Sequence, residues 1–147
     1  MVVVVAGGAL IMHLTLRHAG GDPGGRIMAV LAQTDVAIPP DAAIEYRNDH
    51  GPLWGSCDGR EGTEGWDDVV FQVHFSSSQP SSEILARADD ALTAKGWSRT
   101  RLLEGSEAAW TARLSSSTAR ATLRRDSDGK WTLFATAPPV GRRTSGC

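Results

Sequence analysis

The side chains with the most chemistry to offer in this chain are two cysteines, Cys57 and Cys147, three arginines, Arg113, Arg120 and Arg124, and a run of acids from Asp58 to Asp68. The cysteines are separated by 89 intervening residues, and one of them is the last residue of the chain. A disulfide between them would tie down the C-terminal tail, and closing a loop of that length contributes on the order of 4 kcal/mol in the chain-entropy model. Such a bond persists only in an oxidising compartment, so the pair predicts an extracytoplasmic domain. Two unrelated free thiols are the alternative.

Arg120 and Arg124 alternate with Ala119, Ala121 and Leu123, and Arg113 follows the alternation of Trp110 and Ala112. On strands with one covered face, all three project from the uncovered side, as a strip able to hold an anionic polymer, a lipid headgroup or a partner's acidic surface. The plainer alternative is the ordinary polarity of a solvated sheet face.

The other candidates carry less. Asp58, Glu61, Glu64, Asp67 and Asp68 could gather around a hard cation, but Arg60 stands where an Asp-x-Asp-x-Asp-Gly loop needs a ligand, so a solvated acidic loop is expected. Asp126 and Asp128 suit a hairpin turn that uses them for its backbone geometry. His13, His18, His50 and His74 lack zinc-ligand spacing with each other or with the cysteines. Gly55-Ser56-Cys57 lacks the preceding strand and following helix of a nucleophile elbow. A small hydrolase would need a polar cluster such as His74 with Asp67 or Asp68. No catalytic, cofactor-binding or metal-ligating residue is therefore predicted, and a non-enzymatic protein is expected.

As for the scaffold that must carry these side chains, the chain begins with an apolar run from Val2 to Leu16, followed at once by the polar, Gly-rich stretch Arg17 to Arg26. At 1.5 Å per residue the run reaches only ~22 Å, short of the ~30 Å hydrocarbon core, and no Lys/Arg-rich stretch precedes it. Both features fit a membrane segment entered partway along. Residues 1–18 are expected to be an uncleaved anchor, 19–37 a linker and 38–147 a single extracytoplasmic domain. Arg17 and Arg26 favour a cytoplasmic side by the positive-inside rule, against the reading of the cysteines. A buried N-terminal strand or helix, which His13 and Thr15 allow, is the other reading of the run.

The roughly 110 residues beyond the linker suffice for one hydrophobic core. Charge is unevenly placed: Asp35 to Phe75 holds nine acids and two arginines, whereas Trp97 to Cys147 holds nine basic residues and four acids, within a net charge of −2. Bringing the halves together as neighbouring strands would neutralise both. The overall charge argues against nucleic acid as the main partner.

Val69, Phe71, Val73 and Phe75 alternate with polar or solvent-side positions as a half-buried strand. Ser81 or Ser82 can cap a helix whose apolar face is Ile84, Leu85, Ala88, Ala91 and Leu92, with Arg87, Asp89, Asp90 and Thr93 toward solvent. Gly96 is placed to stop it in a left-handed conformation, with Trp97 folding back onto Leu92. Strands over 99–103, 109–114, 119–124 and 131–136 follow, joined by the Ser115–Ser117 and Asp126–Gly129 turns. Ile44 to Arg47 can add a short strand, Ile27 to Thr34 a short helix turn or strand, and Gly51 to Gly65 reads as a loop. The expected fold is α+β: an antiparallel sheet of about four to five strands with one main helix on one face, and Trp97, Trp110 and Trp131 in the shared core.

The chain has thirteen arginines to two lysines. With the Pro39-Pro40-Asp41 turn, the Ser56-Cys57-Asp58-Gly59 segment, the Gly65-Trp66-Asp67-Asp68 step and a closing Ala137 to Gly141 before the terminal Cys147, it resembles small membrane-anchored actinobacterial proteins of uncharacterised function. The resemblance implies a membrane location and brings no catalytic residues. The resulting expectation is a membrane-anchored extracytoplasmic binding or assembly module of the cell envelope. It would contact the membrane through residues 1–18 and an envelope protein or anionic polymer through the domain, with no cofactor. The alternatives are a cytoplasmic-facing domain touching anionic lipid or nucleic acid through its basic C-terminal half, and a small cell-envelope hydrolase.

Overall fold

The computed structural model describes residues 23–51, 54–56, 64–66, 68–103, 105–115 and 117–138. Its elements are α1 (Pro23–Ala32), a 3-10 turn (Gln33–Ala37), β1 (Ala43–His50), β2 (Trp54–Ser56), β3 (Glu64–Trp66) and β4 (Val69–Ser76), followed by α2 (Ser81–Ala94), β5 (Ser98–Leu103), β6 (Glu107–Arg113), β7 (Thr118–Arg125) and β8 (Trp131–Ala137). The apolar run of residues 1–18, Cys57, Cys147 and Asp67 lie outside the described residues. Among those described, no helix is long and apolar enough to cross a membrane.

The fold is α+β, with a six-stranded sheet in the order β1-β4-β8-β7-β6-β5, antiparallel throughout. Six strands replace the four to five expected, because β1 runs the full length of β4 as an edge strand. The segment Gly51 to Gly65, expected as loop, contains a separate two-stranded ladder pairing Trp54 with Trp66 and Ser56 with Glu64.

Period-two alternation works as predicted in the central strands. Val69, Phe71, Val73 and Phe75 of β4, Trp131, Leu133 and Ala135 of β8, Ala121 and Leu123 of β7, and Trp110 of β6 all turn to one buried face. Trp97, Trp110 and Trp131 lie in the core, and Trp131 stacks on Phe75 with centroids 6.5 Å apart. Two helices cover this face where one was expected: α1 contacts β4 and β8, and α2 contacts β5 and β6.

Residues 23–37 are folded, although their composition suggests a linker. Pro23 starts the helix at the position where its missing N–H costs nothing, and Ile27 and Leu31, one turn apart, are 2% and 0% exposed. The apolar spacing outweighs Gly24 and Gly25. Thr34 closes the turn by donating its Oγ1 hydrogen to the Leu31 carbonyl at 2.6 Å.

Helix α2 ends as its sequence implies. Gly96 has φ +85°, Trp97 N–H donates to the Leu92 carbonyl at 3.0 Å, and Gly96 N–H donates to Thr93 at 2.9 Å, the paired bonds of a Schellman stop. Its start differs: Pro80 is the cap residue without a side-chain bond, and the Ser81 hydroxyl instead accepts from Arg125 Nη1 at 3.1 Å. Asp89, expected on the solvent side, ties helix to sheet by accepting from Trp110 Nε1 and Arg99 Nη1, each at 2.9 Å.

The acidic and basic halves interleave in part. β4 pairs directly with β8, and Lys130 Nζ reaches Glu45 Oε2 at 2.6 Å, bracing the edge strand against the β7–β8 turn. The hydrogen bond to Glu45, reinforced by its charge, raises the Lys130 pKa above its ordinary value. In that turn Asp126 Oδ1 accepts from the Asp128 and Lys130 N–H groups at 3.1 and 2.8 Å, and Gly129 has φ +81°, so the Asp126 carboxylate sets the hairpin geometry while Asp128 contributes its backbone N–H.

Candidate functional site

The face of the sheet turned away from the helices presents the residues that alternate with the core. Register places Tyr46, His74, Thr132, Arg124 and Glu107 in one row across β1, β4, β8, β7 and β6. The next row is Asn48, Gln72, Phe134, Thr122 and Ala109, and the third is His50, Val70, Thr136, Arg120 and Thr111. Successive rows lie about 7 Å apart along the strands.

Arg113, Arg120 and Arg124 are exposed on this face, as the alternation predicts. Among the described residues none of the three forms an ion pair, whereas Arg47 pairs with Asp35 and Arg99 with Asp89. Arg113 is level with Thr118 of β7, so the three guanidinium-bearing positions span about 20 Å along the strand direction. Three cations without an ion pair among the described residues outnumber the carboxylates of Glu107 and Asp68 on this face, which leaves it locally positive despite the acidic total.

Beside Arg124 the face is hollowed into a depression of about 300 Å³, lined by Gln72, Glu107, Thr122, Arg124, Thr132 and Phe134. Its lining combines one aromatic ring with a guanidinium, a carboxylate, an amide and two hydroxyls. Glu107 is the register partner of Arg124, yet no ion pair joins them, so both remain available to a ligand. A second hollow of about 600 Å³ lies at the end of the strip, where Arg113 is surrounded by Ser98, Thr111, Ser115 and Thr118.

At the other edge of the first depression His74 is held from both sides. Gln72 Nε2 lies 2.7 Å from His74 Nε2, and Thr132 Oγ1 lies 3.3 Å from His74 Nδ1. The ring is therefore held between the Gln72 amide and the Thr132 hydroxyl. Tyr46 closes edge-on against the ring at a centroid distance of 5.4 Å. His74 is thus a half-buried part of the face, packed against Tyr46, Gln72 and Thr132.

Among the described residues, His74 and Asp68 are not brought together, for reasons of strand geometry. Asp68 accepts from the Thr136 hydroxyl at 3.1 Å, and six residues of strand put it about 20 Å from His74. His50 bonds the neighbouring Gly51 carbonyl through Nδ1 at 3.0 Å. Among the described residues no group of three or more His, Cys, Asp or Glu side chains converges as metal ligands. The side chains of Asp58, Glu61, Glu64 and Asp67, like the Cys57–Cys147 pair, lie outside the described residues. Gln72 and Phe134 escape a reading of the sequence, since only the pairing of β4 with β8 and β8 with β7 brings them beside Arg124. No protein-family model matches this chain, and no curated protein matches it either.

Proposed function

We propose that the protein is a non-catalytic, membrane-tethered binding module of the cell envelope that holds an anionic polymer on the open face of its sheet. The observation that carries this reading is the exposure of Arg113, Arg120 and Arg124 on one surface without an ion-pair partner among the described residues. Guanidinium groups grip carboxylate and phosphate by two parallel hydrogen bonds, so a strip of them favours a ligand with repeated anionic groups. The apolar run from Val2 to Leu16 supports a membrane tether, and Cys57 with Cys147 supports an oxidising, extracytoplasmic setting.

Binding to immobilised polygalacturonate and polyphosphate, measured at low and high salt, tests the surface. The wild-type protein is expected to bind at least one polymer and to weaken as salt rises. Replacing all three arginines by alanine should reduce affinity by about a thousandfold, at roughly 1.5 kcal/mol per charge-assisted contact. Undiminished binding by that triple variant would overturn the assignment.

Location is tested separately by thiol labelling in intact cells, with and without reductant, read by mass. Cys57 and Cys147 are expected to be joined, and free thiols would instead favour the cytoplasmic reading.

A further inference from the structure

We infer that the anionic polymer is an acidic polysaccharide, with one sugar ring seated in the depression over Phe134 and carboxylates of neighbouring units on the arginine strip. This rests on the reading of the face as an anion-binding surface and adds the chemical class of the ligand. A bare polyanion needs only cations, but the depression beside Arg124 offers much more. Phe134 presents an aromatic surface to the apolar C–H side of a pyranose, while Gln72, Thr122 and Thr132 offer donors and acceptors to hydroxyl groups.

Glu107 separates the ligand classes most sharply. An unpaired carboxylate in the lining repels any polyanion, and only a ligand with hydroxyl groups offsets this by donating hydrogen bonds to it, which the chain of a polyphosphate or a DNA phosphodiester backbone does not offer. It lies opposite Arg124, so a uronate unit can place its carboxylate on the guanidinium and a hydroxyl on Glu107. The hydroxyl-rich hollow around Arg113 repeats this combination of cation and neutral polar groups at the far end of the strip. The ligand that uses both must therefore reach about 20 Å, which selects an oligomer over a monosaccharide.

The experiment compares the full chain's affinity for oligogalacturonate, a neutral galactan of similar length, polyphosphate and oligo(dT). Oligogalacturonate is expected to bind tightest, with the neutral galactan weaker yet displaced from the same site. Phe134→Ala should weaken oligogalacturonate about tenfold and remove galactan binding while polyphosphate affinity stays unchanged, which also reports an intact fold. Phe134→Leu, which keeps the apolar bulk without the flat ring, should act in the same direction. Glu107→Gln should weaken oligogalacturonate and strengthen polyphosphate and oligo(dT).

Equal effects of these substitutions on polyphosphate and oligogalacturonate would overturn the saccharide assignment while leaving the anion-binding surface in place. Tighter binding of oligo(dT) than of oligogalacturonate would overturn it in favour of nucleic acid. A wild-type chain that binds none of the polyanions would remove the underlying reading as well.

Discussion

Trp131→Ala is expected to destabilise the domain by about 3–5 kcal/mol, the cost of deleting a large aromatic side chain from a packed core. Trp131 is 1% exposed, stacks on Phe75 and stands at the start of the strand that joins the two halves of the sheet. Domains of this size carry a net stability of about 5–15 kcal/mol, so the loss takes a large part of the whole. With a urea dependence of about 1–3 kcal/mol/M, the midpoint should fall by about 2 M when followed by far-ultraviolet circular dichroism. A midpoint that barely moves would mean that the ring is not packed between β4, β8 and the helices.

The second large effect concerns the amino-terminal helix. A chain beginning at residue 20 should unfold cooperatively, whereas one beginning at Ile38 should lose its cooperative transition and bind hydrophobic dyes. The shorter chain lacks Ile27, Leu31 and Ala37, all buried in the common core, and leaves the apolar face of β4 and β8 open to water. Within the full chain, Leu31→Ala alone should cost about 2–5 kcal/mol. Equal melting temperatures for the two shortened chains would show that residues 20–37 act as the linker their composition suggests.

What is legible in the sequence follows the strength of its periodic signals. β4, β6, β7 and β8 each have one face buried and one open, so their sequences alternate, and the arginine strip comes with that alternation. Helix α2 carries both an apolar face and the Gly96 stop. By contrast β1 is an edge strand with most of its residues exposed, and Glu45, Arg47, Asn48 and Asp49 give it no apolar rhythm. Helix α1 is obscured by the glycines around Pro23, although Ile27 and Leu31 have the spacing of one turn.

The ligand-sized features are illegible for a topological reason. Gln72 and Phe134 are sixty-two positions apart in sequence and become neighbours only because β8 inserts between β4 and β7. Likewise the freedom of Arg124 opposite Glu107 depends on side-chain placement, which alternation does not encode. The arginines are visible as a set, but the aromatic depression that qualifies what they bind is not.

A map of amide chemical-shift changes on an isotope-labelled sample titrated with oligogalacturonate bears hardest on the open face as the binding surface. The changes should concentrate on β6, β7 and β8, at Thr111, Arg113, Arg120, Thr122, Arg124 and Phe134, and should leave α1 and α2 unmoved. Changes confined to the helical layer, or none at saturating oligomer, would contradict the assignment of this face as the site.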